Sequence, residues 1–240
     1  MKSIIKGNES EIEAIVKNTS DFQGGEHIII VSKPSMGKTT LALQMALHMS
    51  FCENKPIASF SFEMSTEILL KRIFKISSLE IKDMPGSQFY IYDPVEMNFS
   101  ELEQCIRNEY KKNKIKAVFI DYLGLISSDN SDSPRINEMS SIILKLRALA
   151  KELNICVISI LYLKRDNEYS LDKLSAASIN PNLPPINSFR DISDSDEVYE
   201  SIDKVFLIQD SNSKQKVIKF YKYSGNCDWA YEEIQWTLPE

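Results

Sequence analysis

HIIIVSKPSMGKTTLALQMALHM, residues His27 to Met49, joins a β-branched run to an amphipathic stretch through a turn holding Gly37, Lys38 and Thr39. The run HIIIVS predicts a strand buried on both faces. Beyond the turn, Leu41, Met45 and Met49 fall at helical spacing. A strand, a turn and then Gly-Lys-Thr opening a helix is the setting of a phosphate-binding loop of the form G-x-x-x-x-G-K-S/T. In such a loop the backbone N–H groups of the first helical turn converge on phosphate oxygens, helped by the positive end of the helix dipole. Lys38 is predicted to neutralise the β- and γ-phosphates, and the Thr39 hydroxyl to ligate magnesium. A side chain at Gly37 would crowd the phosphates. Ser32, Lys33, Pro34, Ser35, Met36 and Thr40 complete the predicted nucleotide-binding set. One position departs from the pattern, because Ser32 stands where the leading glycine belongs. A helix N-terminus with an incidental Lys-Thr pair is the competing explanation, and the strand–turn–helix context weighs against it.

The alternation continues along the chain. PIASFSFE predicts a second strand, and STEILLKRIFKISS a second helix with Ser65 as its N-cap. QFYIYD predicts a third strand, and NFSELEQCIRNEYKKN a helix with Leu102, Ile106 and Tyr110 on one face. KAVFIDYLGLI is a fourth strand, INEMSSIILKLRALAKELN a long helix, and ICVISILYL a fifth strand. This spacing implies an α/β fold, a mostly parallel sheet flanked by helices on both faces. From Arg165 to about Asp203 the periodicity stops. The prolines of NPNLPPINS remove backbone donors, so this segment reads as a long functional loop. KVFLIQD, KQKVIKFYKYS and YEEIQWTL then read as strands joined by short turns, extending the sheet antiparallel. Residues 1–22 are expected to form a linker with a short amphipathic helix, SEIEAIVKN, and residues 23–240 a single domain.

Composition narrows the function classes. The 240 residues carry a formal net charge of −6, so attraction to a polyanion is not favoured overall. Contact with nucleic acid would need a local basic patch. The four cysteines, Cys52, Cys105, Cys156 and Cys227, form no C-x-x-C, and the two histidines, His27 and His48, give no zinc-site spacing. Three of the cysteines sit in apolar or helical contexts and read as small buried hydrophobes, which points to the reducing cytoplasm. No apolar run resembles a signal peptide or reaches the length of a membrane span, so no membrane partner is expected.

A magnesium-dependent nucleotide site needs a carboxylate at the end of a neighbouring apolar strand. AVFID supplies Asp121. It also needs a group that activates or positions water. Glu63, at the end of SFSFE, leaves the second strand at the sheet edge where ligands of α/β proteins collect. Alone, each has a plainer reading, a loop cap for Asp121 and a solvated strand end for Glu63.

Taken together these segments resemble the ATPase domain of the DnaB-type replicative helicases, a RecA-like P-loop NTPase fold. The family's A-R-P-S-M-G-K-T stands here as SKPSMGKTT, its S-L-E-M-P-S-E as SFEMSTE, and its I-D-Y-L-Q-L as IDYLGLI. LKLRALAKELNICVI is similar to the family's L-K-A-L-A-K-E-L-N-V-P-V-V. The resemblance covers about Gln23 to Tyr223. It implies ATP and Mg2+ as ligands, Glu63 with Lys38 as the catalytic pair, Thr39 and Asp121 at the metal, and Arg72 at the nucleotide. It also implies a role in DNA replication or unwinding, single-stranded DNA as a partner, and a homo-hexamer. The family's N-terminal domain has no counterpart in the roughly 22 residues ahead of the core, so a divergent, stand-alone ATPase domain is expected.

The departures cluster. V-V-A-L-S-Q-L-N-R appears as VISILYLKR, which puts Tyr162 where the family's glutamine senses the γ-phosphate. D-L-R-E-S-G appears as SFRDISDSDEV, keeping Arg190. K-Q-R-N-G, which reaches the neighbouring subunit's nucleotide, appears as YKYSG, leaving Lys222 as a substitute only by a shift of register and Lys219 as a poorer one. The predicted DNA-facing loops, SSDNSDSPR and residues 165–190, carry Arg135, Arg165, Lys173 and Arg190 among several aspartates, which is no strong basic stripe. The cluster Lys111–Lys116 ends a helix and reads as a solvated face, and the alternating KFYKYS reads as an edge strand or a base-stacking surface. Two functions therefore stand: an ATPase of the helicase type, or a nucleotide-binding interaction or regulatory protein without helicase activity.

Overall fold

A computed structural model describes residues 21–80, 82, 88–128, 135–162, 201–210, 215–225 and 228–238, with 5, 11, 14, 15 and 17 ahead of them; for 135–137, 223–225 and 228–231 it describes the backbone only. Along the chain run β1 (His27–Ser32), α1 (Lys38–Leu47), β2 (Ile57–Ser61), α2 (Thr66–Ile76), β3 (Phe89–Tyr92), α3 (Phe99–Asn113), β4 (Ala117–Asp121), α4 (Arg135–Leu153), β5 (Cys156–Tyr162), β6 (Lys204–Asp210), β7 (Gln215–Gly225) and β8 (Asp228–Thr237). The strands form one sheet in the order β3-β2-β4-β5-β1-β6-β7-β8. The first six pair in parallel, and β7 and β8 add antiparallel, as the sequence predicts.

The continuous apolar run of β1 follows from its central place. Ile28 and Ile30 pack on the face covered by α1 and α2, while Ile29 and Val31 pack on the face covered by α3 and α4. All four are fully buried, so neither face of the strand tolerates a polar residue. Leu41, Met45 and Met49 also lie inside, although the α-helix ends at Leu47 and widens into a π turn, His48–Cys52, that keeps Met49 turned inward. Helix α3 starts with a capping box, in which Asn98 accepts from the Glu101 N–H and Glu101 accepts from the Asn98 N–H, each at 2.9 Å. Ile15 and Phe22, ahead of residue 23, are buried in the same core as α1.

Several local expectations are corrected. The fourth strand is shorter than KAVFIDYLGLI: it stops at Asp121, level with the end of its neighbour β2, and the chain turns through a 3-10 segment, Leu123–Leu125. Ser65 occupies the N-cap of α2 without capping it through its side chain; the Asp93 carboxylate accepts from the Thr66 N–H at 2.7 Å instead. KFYKYS is not an edge strand, because β7 pairs on both sides, and Tyr221 is buried. Cys156 is buried, whereas Cys52 and Cys105 are only half-buried; Cys227 lies outside the described residues. Among the described residues, no helix is long and apolar enough to cross a membrane.

At the N-terminal edge of the parallel strands a polar cluster ties the sheet to α4. Arg147 pairs with Asp203, whose carboxylate also accepts from the His27 N–H at 2.8 Å. The His27 ring is fully buried, 2.9 Å from Ser159 Oγ. Burial, and secondarily the Arg147 charge, hold its pKa down to about 3. The unfolded chain therefore takes up a proton below about pH 6.5 that the folded one refuses, and stability is lost as pH falls. From pH 7 to pH 5 the loss from this group is about 2 kcal/mol. Asp121, with its pKa raised to about 6, acts in the opposite direction over the same range. The difference between wild type and His27→Gln isolates the histidine, and denaturant titrations at the two pH values are expected to show that difference shrinking or reversing towards pH 5.

Candidate functional site

Four strand ends meet at the C-terminal edge of the sheet. β1 leads into the loop at 33–37, β2 leads to Glu63, β4 ends on Asp121 and β5 on Tyr162. In the loop Ser35 (φ 63) and Gly37 (φ 94) are left-handed, which curls the chain before α1 begins at Lys38. Backbone curls of this kind turn successive N–H groups towards one centre, where an anion fits.

Lys38 is 4% exposed, and its ammonium donates to three acceptors: Ser32 O at 3.2 Å, Ser32 Oγ at 3.1 Å and Lys33 O at 2.9 Å. The Tyr162 ring closes a fourth side, 3.8 Å from Nζ. Burial lowers the Lys38 pKa to about 8, against the opposing pull of the Asp121 and Glu63 carboxylates. This accounts for the serine at the missing-glycine position. Its buried hydroxyl accepts from Lys38 and donates to Lys33 O at 2.8 Å, work that a glycine cannot do.

Thr39 Oγ1 donates to Asp121 Oδ2 at 2.7 Å. The other oxygen, Asp121 Oδ1, is buried with no hydrogen-bond donor among the described residues. Burial raises the Asp121 pKa to about 6; the Thr39 bond opposes this, the Glu63 charge adds to it, and Lys38 and then Arg72 oppose it. Arg72, on α2, is exposed, so it reaches this site as a charge rather than a contact. Beneath Thr39 and Asp121 lies a cavity of about 10 Å³, lined also by Ala42, Ser59 and Ser61. It has room for about one water and for no larger ligand.

Glu63 is exposed, and the chain beside it is fixed to β4 by the Phe62 N–H, which donates to Asp121 O at 2.6 Å. Its carboxylate accepts from the Tyr162 hydroxyl at 2.9 Å. The Tyr162 pKa is raised, chiefly by burial and then by that bond, which keeps the phenol protonated and a donor.

The site also includes two residues that sequence reasoning missed. A Cβ on Gly37 would lie 2.5 Å from Leu238 Cδ1 and 2.8 Å from Trp236 Cη2. The end of β8 therefore packs directly on the loop, and the glycine answers to that packing as well as to any phosphate. Nothing in the sequence near Gly37 signals it, because the partners are about 200 residues away.

The structure brings Ser32 to Thr40, Glu63, Asp121 and Tyr162 together, with Arg72 near. It does not bring Lys222. That residue is exposed, opposite Lys204 at the start of β6, which pairs beside Ile28 at the start of β1, the end of the sheet away from Lys38. Lys219 is held in a cross-strand ion pair with Glu233 at 3.3 Å. Arg190, Arg165 and Lys173, and most of both predicted DNA-facing loops, lie outside the described residues, as does the Arg135 side chain. Lys111, Lys112, Lys114 and Lys116 are all exposed at the end of α3 and beyond it.

The strand order, the helices on both faces and the Gly-Lys-Thr turn after a central strand define a RecA-like P-loop NTPase fold. The chain belongs to the DnaB-like helicase C-terminal domain family, whose model matches residues 7–84 and 74–222. Among its relatives is the replicative DNA helicase DnaB of Treponema pallidum, 32% identical over 72% of this chain and 44% of the relative. A probable plasmid replicative DNA helicase of Chlamydia trachomatis is 28% identical over 85% of this chain and 45% of the relative. The chain thus spans about half the length of the curated relatives it matches. Among solved structures, an ATPase domain superposes with a TM-score of 0.76 at 21% identity, over 97% of this chain and 88% of that one. A DnaB-like replicative helicase, solved for its interactions with primase, gives 0.71 at 22% identity, over 89% and 55%.

Proposed function

We propose that this chain binds ATP with magnesium and hydrolyses it, as the ATPase domain of a helicase acting in DNA replication or unwinding. The single observation that carries the reading is the convergence of Lys38, Thr39, Asp121 and Glu63, from three separate segments, on one edge of the sheet. Lys38 and the N–H groups of the loop hold the phosphates. Thr39 and Asp121 hold the magnesium, and the buried, donorless Asp121 Oδ1 fits a cation. Among the described residues no cluster of three metal-ligating side chains exists, and a magnesium arriving with a nucleotide would need only Thr39 and Asp121 from the protein. When bound, the ion supplies positive charge to the phosphate oxygens. Glu63 takes a proton from the attacking water as the new oxygen–phosphorus bond forms and the bond to ADP breaks. The half-buried and buried thiols suit the cytoplasm.

The test is Glu63→Gln. Affinity for a fluorescent ATP analogue is expected to stay within about twofold, while turnover falls by roughly 10² to 10⁴. Full turnover in the variant removes Glu63 from the reaction.

A second reading, a nucleotide-binding regulatory protein without helicase activity, is favoured by one observation: YKYSG offers no arginine to a neighbour. A hexamer in solution with turnover raised by single-stranded DNA supports the helicase. A monomer indifferent to DNA leaves the second reading.

A further inference from the structure

Glu63 sits in the bend after β2, exposed to solvent, where a carboxylate samples several rotamers unless something holds it. Among the described residues its one hydrogen-bond partner is the Tyr162 hydroxyl, at 2.9 Å from Oε2. Tyr162 is itself well fixed. Its backbone pairs with Ser32 in the sheet, its ring meets the Tyr122 ring edge-on at 4.7 Å, and its face lies on the Lys38 ammonium. One rigid phenol thus spans the gap between the loop lysine and the exposed glutamate.

We propose that Tyr162 is a positioning residue, whose hydroxyl fixes the Glu63 carboxylate beside the loop so that its free oxygen, Oε1, faces the attacking water. The proposal rests on the ATPase reading above. A hydrogen bond to a charged acceptor is short and directional, and a single bond to Oε2 leaves the lone pairs of Oε1 for the water. A tyrosine can do this because its hydroxyl stands at the far end of a ring already held on both sides. A shorter side chain at the end of β5 would need a different anchor. Tyr162 therefore acts through Glu63, with no contact to the phosphates required of it.

The experiment compares wild type, Tyr162→Phe, Glu63→Gln and the double variant, measuring steady-state ATP hydrolysis and the Kd of a fluorescent ATP analogue. Phenylalanine keeps the ring against Lys38 and Tyr122 and removes only the hydroxyl. It is expected to lower kcat by about 10- to 100-fold, the range that a misplaced catalytic group costs, with Kd and KM changed less than about twofold. Because the two residues act as one unit, the double variant should be no slower than Glu63→Gln alone. An unchanged kcat in Tyr162→Phe overturns the proposal. So does a Kd that rises as far as kcat falls, or a double variant that shows the product of both losses. If wild type binds the analogue but never turns ATP over, the ATPase reading fails and takes the proposal with it. Turnover in wild type alongside an unaffected Tyr162→Phe defeats the proposal alone.

Discussion

Lys38→Ala is expected to weaken ATP binding by about 30-fold or more and to leave the protein folded. Removing one partner of a desolvated charge pair costs on the order of 2–5 kcal/mol of affinity, which converts to roughly 30-fold to several thousandfold in Kd. The fold should not suffer, because the ammonium is a buried charge whose pKa is already depressed to about 8 by burial. The alanine variant frees Ser32 O and Lys33 O from that donor while removing the cost of burying it. Calorimetry for Kd and a thermal melt, run together, check both halves of the expectation; an unchanged Kd would defeat either function proposed above.

The same pKa sets a pH dependence whose sign can be worked out. Phosphates favour the charged ammonium, so above about pH 8 the free protein must take up a proton to bind. Affinity should then fall by about tenfold per pH unit above 8, until the lysine of the bound state begins to lose its proton as well. In Lys38→Ala that slope should vanish. Folding alone shows the reverse trend: the unfolded chain keeps the lysine proton up to about pH 10.5, so this group's contribution to stability rises between pH 8 and that value.

Gly37→Ala is the second large effect, and it should strike fold and binding together. Gly37 has φ 94, which an L-residue adopts at a cost of roughly 1–2 kcal/mol. The added methyl would also stand 2.5 Å from Leu238 Cδ1 and 2.8 Å from Trp236 Cη2. The leucine end can swing away, but the indole is 1% exposed and packed in the core under α1, so it cannot. A total loss of about 3 kcal/mol or more is expected from backbone strain plus overpacking, with nucleotide affinity falling as the loop shifts. Leu238→Ala in the same chain should recover little, because the indole contact remains. A wild-type melting temperature for Gly37→Ala would show that β8 does not brace the loop.

Most of the fold was legible in the sequence because its signals are local. The short apolar runs around Ile28, Ala58, Val118 and Val157 each form a parallel strand, and the helical spacing between them gives the covering layers. Lys38, Thr39, Asp121 and Glu63 were legible for the same reason, since each lies at a strand end or helix start that its own neighbours define. What escaped depends on contacts across the chain. The Ser32 hydroxyl matters only because Lys38 folds back on its own loop. Tyr162 reads from the sequence as a lost glutamine, and only the sheet register places it between Ser32 and Glu63. The placing of Lys222 needed the pairing of β6 with β7, which a strand pattern alone does not give. Ser65 had the right residue type for a cap, and the geometry of Asp93 took the role instead.

The packing of Trp236 and Leu238 on Gly37 also bears on how the protein is made. The loop is translated with β1 and α1, and the side chains that brace it follow about 200 residues later. Domains fold as units while the ribosome delivers them from the N-terminus, and contacts of such long sequence separation form late. The loop, first of the site's parts to be translated, is thus among the last to gain its final neighbours.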